Sequence, residues 1–105
     1  MQKVDTGLKD AQIKRILAVL HRNPKIREIL LFGSRAKGNY QKGSDIDIAV
    51  STDGLSMGEL LQLKSALDDL MLPYNIDIVV YEDIQNRNLR EHIDRVGLSL
   101  ERLAR

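Results

Sequence analysis

An α/β (α+β) fold, a small mixed sheet of three strands or slightly more with helices packed on it, is what this sequence predicts, and three patterns predict it. Helical periodicities alternate with short β-branched runs along the chain. Two of those runs, Ser44 to Val50 and Asn75 to Val80, share an Ile-Asp-Ile alternation of period two. Between them lies an amphipathic segment long enough for a right-handed crossover, which makes the two strands parallel and able to be neighbours. The 105 residues suit a single domain spanning 1–105, since roughly 100 residues bury a useful core.

The elements follow in order. Ile13, Ile16, Leu17 and Leu20 recur at helical spacing, and Asn23-Pro24 supplies a stop, so a first helix covers about 9 to 22. Glu28-Ile29-Leu30-Leu31-Phe32 is a short apolar run ending at Gly33, the length of a buried strand. Ser34-Arg35-Ala36-Lys37 makes one helical turn, and Gly38 to Gly43 has the composition of a loop. Ser44 to Val50 places Asp45, Asp47 and Ala49 on one face and Ile46, Ile48 and Val50 on the other. Ser56 with Glu59 three residues later forms a capping-box signature for a second long helix through Leu60, Leu63, Leu67 and Leu70, ending at Pro73. In the third strand Asp77 and Val79 share a face. From about Asn86, Leu89, Ile93, Val96, Leu100 and Leu103 form one helical seam, which Gly97 bends or interrupts. The order implies a mixed sheet with helices on one side.

Composition excludes several function classes. There is no cysteine, so disulfides, thiolate catalysis and thiolate metal sites are absent, and a cytoplasmic location is expected. No apolar run approaches the ~20 residues of a membrane span, and the polar start Met1-Gln2-Lys3-Val4-Asp5 lacks a signal-peptide core. Sixteen basic residues nearly cancel fifteen acidic ones, so no overall field recruits nucleic acid, and phosphate binding must be local. One Phe, three Tyr and no Trp give few platforms for stacking bases.

Against that background the strand acids stand out. An ionised carboxylate taken from water without a partner costs several kcal/mol, and a counter-charge or a metal is the usual relief. Asp45 and Asp47 point the same way, and Asp77 holds the matching place on the next strand, so three carboxylates converge if those strands adjoin. Hard oxygen ligands favour Mg2+ or Mn2+, and paired divalent ions suit nucleotidyl transfer, with Asp77 also placed to take a proton. The opposing reading, acids on the solvated face of a half-covered sheet, fits the same pattern. Gly33-Ser34 opens a helical turn after a strand, a place where amide groups cradle phosphate, and Arg35 and Lys37 can offset the charge of a triphosphate. An ordinary turn would also carry a glycine and a serine there.

Taken together, Gly33-Ser34, ten residues, then Asp45-Ile46-Asp47 resembles the GS-x10-DxD signature of the DNA polymerase β nucleotidyltransferase superfamily, with Asp77 where that superfamily keeps its third acid. Phe32 to Gly38 and Ser44 to Val50 look especially like the minimal nucleotidyltransferase (MNT) domains of bacteria and archaea, over about residues 8 to 103. The resemblance implies the small polymerase β-like core, two Mg2+ ions on Asp45, Asp47 and Asp77, and ATP or another nucleoside triphosphate on Gly33 and Ser34. It also implies that the chain is the antitoxin of a helical HEPN toxin, adenylylating a partner hydroxyl, because so small a core offers little surface to grip an acceptor. Two alternatives stay open: adenylylation of a small, aminoglycoside-like molecule, and a non-enzymatic antitoxin that blocks its toxin by binding.

The remaining groups read as surface or structural. His21 and His92 lack a second histidine at ligand spacing. The charged tail, with Arg87, Arg90, Arg95, Arg102 and Arg105, reads as a solvated helix face, while its apolar seam suits a hetero-oligomer or a homodimer.

Overall fold

The computed structural model describes residues 4–104; Met1, Gln2 and Lys3 of the polar start, and Arg105 at the end of the charged tail, lie outside the described residues. The order is α1 (Asp10–Leu20), β1 (Ile26–Phe32), α2 (Gly33–Lys37), β2 (Ile46–Thr52), α3 (Met57–Asp68), β3 (Ile76–Val80), a 3-10 turn (Tyr81–Asp83), α4 (Arg87–Val96), β4 (Leu98–Ser99) and α5 (Leu100–Leu103). The sheet runs β3-β2-β1-β4. β2 and β3 are parallel neighbours, and β1 pairs antiparallel with both β2 and β4.

One face of the sheet carries the main core. Ile29, Leu31, Ile46, Ile48, Val50, Ile78 and Val80 meet Ile13, Ile16, Leu17 and Leu20 of α1, Leu63 and Leu67 of α3, and Leu100 of α5. Each fully buried Ile or Leu contributes roughly 1.5–3 kcal/mol relative to exposure. α3 starts as its sequence signature requires: Ser56 Oγ accepts the Glu59 N–H at 3.1 Å, and Glu59 Oε1 accepts the Ser56 N–H at 3.1 Å. It ends at Asp68, five residues before Pro73, because the chain already turns at Met71, whose φ is +57°.

The opposite face corrects the expected one-sided layering. Phe32 and Ala49 pack there against Ile93 of α4, with Leu30, Val79, Leu89 and Val96 around them. Helices therefore cover both faces. The apolar seam of the tail is not one helix either: α4 stops at Val96, and β4 pairs with β1 through Leu98 with Leu31 and Ser99 with Leu30. A Cβ at Gly97 would press on the Ile93 carbonyl oxygen. The seam thus splits around a sheet edge, Leu89 and Ile93 to one face and Leu100 to the other.

Candidate active site

The face under α4 is also the face of the acids. Parallel pairing sets Asp47 directly beside Asp77, and antiparallel pairing sets Phe32 beside Asp47. Asp45 lies two residues earlier, immediately before β2 begins. Asp47 is half-buried, whereas Asp45 and Asp77 are exposed. Burial, then the negative charges of Asp77 and Asp45, raise the Asp47 carboxyl above its ordinary value. Among the described residues, no three carboxylate or imidazole side chains close tightly enough to cage one ion. The acids form an open group at one end of the sheet.

Gly33 follows β1 directly and approaches these acids more closely than a side chain would permit. Its φ is +76°, and a Cβ built on it would run into the Asp47 carboxylate. Its N–H donates to Nε2 of His92 at 3.2 Å. Gly33, Ser34, Lys37, Asn39, Gln41, Ser44 and His92 line a groove of about 390 Å³. Ser44 immediately precedes Asp45 in the chain, so this groove and the acids adjoin.

Of the groups expected at a triphosphate, Gly33, Ser34 and Lys37 line the groove and Arg35 does not. Arg35 is 2% exposed. Its Nη1 donates to the Thr6 carbonyl at 2.8 Å, and its Nη2 and Nε donate to the Ser44 carbonyl at 2.9 and 3.2 Å. The guanidinium lies between the rings of Tyr74 and Tyr40, at 4.5 and 4.8 Å from their centroids. A buried cation is tolerable when carbonyls and aromatic faces replace water around it. Arg35 therefore secures the loop that ends at Asp45 instead of facing a phosphate.

His92, expected on the surface or in a structural role, accepts the Gly33 N–H and also lines the groove. Isolated on a charged helix, it carries no local signal; what brings it there is α4 lying across the acid-bearing face. Asn39, Gln41 and Ser44 were likewise indistinguishable from ordinary loop residues.

Residues 14–101 match the family described as Polymerase beta, Nucleotidyltransferase. A candidate protein adenylyltransferase of Methanocaldococcus jannaschii is 30% identical over 89 residues, which cover 80% of this chain and 90% of that one. The protein adenylyltransferase MntA of Shewanella oneidensis is 45% identical over 60 residues, 51% of this chain and 43% of that protein. Among solved structures, a toxin–antitoxin complex with AMP-PNP contains a chain that superposes with a TM-score of 0.69 at 28% identity, covering 89% of this chain and 73% of that one. The Gly33–Ser34 turn, the paired strand acids and the match over residues 14–101 agree: this chain belongs to the polymerase β nucleotidyltransferase family.

Proposed function

We propose that this protein transfers AMP from ATP to a hydroxyl group of a partner protein, and that the partner is the HEPN-type toxin for which it serves as antitoxin. The observation that carries the reading is the juxtaposition of Asp47 with Asp77 across parallel strands, with Gly33 pressed against Asp47. Its biological side is supported by the likeness to MntA and to a toxin–antitoxin complex holding an ATP analogue.

Asp45, Asp47 and Asp77 would hold two Mg2+ ions, with Mn2+ as the alternative. The fit lies in Asp47, a half-buried acid acted on by two like charges, an arrangement that a divalent cation relieves. When bound, the ions supply charge stabilisation for the attacking and leaving oxygens. The chain's own residues do the rest. Ser34 and Lys37, with the backbone at Gly33, hold the triphosphate in the groove. The acceptor hydroxyl oxygen forms a bond to the α-phosphorus, the bond from that phosphorus to the β-phosphate bridging oxygen breaks, and pyrophosphate leaves. Asp77, exposed at the edge of the acid group, takes the hydroxyl proton.

The test is to incubate the protein with MgCl2, α-labelled ATP and the product of its neighbouring gene, the candidate HEPN protein. Label on the HEPN protein is expected. An intact complex with no label transferred would reject the enzymatic reading and leave neutralisation by binding.

A further inference from the structure

His92 lines the groove and also holds its wall through the protein backbone. The turn of α2 begins after Phe32, which has no side-chain acceptor, so the Gly33 amide finds no cap within its own segment. His92, 59 residues further along, supplies it by accepting the Gly33 N–H at Nε2. An imidazole accepts only through the nitrogen that lacks a hydrogen, so Nε2 presents its lone pair and the ring proton sits on Nδ1.

The ring is held from several sides. Ile93, its chain neighbour, is fully buried against the sheet, and Asn86 Oδ1 caps α4 by accepting the Leu89 N–H at 3.1 Å. Phe32 meets the imidazole edge-on, with centroids 6.1 Å apart and planes at 79°. The other side of Gly33 is closed by the Asp47 carboxylate, which occupies the place a Cβ would take. The Gly33 peptide is therefore clamped between an imidazole on α4 and an acid on β2.

Resting on the nucleotidyl-transfer reading above, we infer that His92 is a positioning residue for the nucleotide, fixing the Gly33–Ser34 turn relative to Asp47 so that the groove accepts a triphosphate. It acts through the Gly33 backbone. A histidine that merely packed would affect stability and leave affinity indifferent to whether its replacement can accept a hydrogen bond. Gln spans a similar length and retains an acceptor oxygen; Ala retains neither.

The experiment is calorimetric titration of wild type, His92→Ala and His92→Gln with AMP-PNP in MgCl2, alongside thermal melting of each protein. His92→Ala is expected to weaken binding roughly five- to tenfold, the equivalent of one hydrogen bond, with His92→Gln within about twofold of wild type. If His92→Ala does not stay folded, the same contrast is read between His92→Gln and His92→Phe, which keeps a ring and lacks the acceptor. Equal affinity in all variants, or equal weakening in acceptor and non-acceptor variants, overturns the role of His92 alone. Wild-type protein that binds no AMP-PNP overturns the transferase reading and this inference together.

Discussion

Asp47 and Glu59 are both half-buried carboxylates, yet their surroundings push them in opposite directions. Glu59, at the start of α3, accepts from Lys25 Nζ at 2.7 Å, from Asn23 Nδ2 at 3.0 Å and from the Ser56 N–H, and these hydrogen bonds, that of Lys25 first, lower its pKa to about 2. Asp47, at the acid end of the sheet, is raised by burial and by two further acids. The base of α3 is thus finished with its own side chains. Around Asp47 the neighbouring charges are alike, a repulsion that the divalent cations of the proposed mechanism would relieve.

Replacing Asp47 with Asn should have the largest effect. In the proposed metal-holding role its charge is worth several kcal/mol of transition-state stabilisation, so AMP transfer should fall by roughly 10³-fold or more. Stability should move the other way. A carboxyl whose folded pKa is raised contributes stability below its unfolded pKa, and that contribution is lost as pH rises through the folded pKa. At neutral pH and with chelator present, Asp47→Asn should therefore melt higher than wild type. MgCl2 should raise the melting temperature of wild type and leave the variant nearly unmoved. A variant that melts lower than wild type in chelator would remove the repulsion on which the contrast rests.

Gly33→Ala attacks the same end by shape. The added methyl group meets the Asp47 carboxylate at a φ that L side chains rarely adopt, at a cost of about 1–3 kcal/mol. Weaker AMP-PNP binding should accompany it. Because the collision is with the Asp47 side chain, Asp47→Ala should recover part of the stability loss, and a double-mutant cycle in thermal denaturation would show it as non-additivity. Additive losses would mean that backbone strain alone accounts for the cost.

The acids could be found in the sequence because period-two alternation fixes a face, and the Gly33-Ser34 turn because its ten-residue distance from them resembles a family signature. The parallel crossover then makes Asp47 and Asp77 register partners. Arg35 and His92 owe their surroundings to contacts remote in sequence, which no local pattern encodes. Arg35 reads as a basic group after a phosphate turn, but it neighbours Ala36 on the inward side of α2 and ends between Tyr40 and Tyr74. The β4 pairing was also hidden: two residues are too few for a period, and Gly97 signalled a break without saying which face the chain would take next.

The smallest effect belongs to Glu59→Gln, and it tests the contrast most directly because it repeats the acid-to-amide exchange of Asp47→Asn in the opposite setting. Gln keeps the length and one acceptor but loses the charge that Lys25 meets. A carboxylate whose folded pKa is depressed stabilises fully above its unfolded value, here 4.5, and the stabilisation is lost as pH falls toward about 2. Glu59→Gln should therefore melt slightly lower than wild type at neutral pH, and its acid limb should be flatter between those two pH values. AMP transfer at neutral pH should be unchanged, since Glu59 lies outside the groove and the acid group. In chelator, then, the two isosteric exchanges should shift melting temperature with opposite signs, and a shared sign would show that the two carboxylates sit in surroundings less different than their contacts indicate.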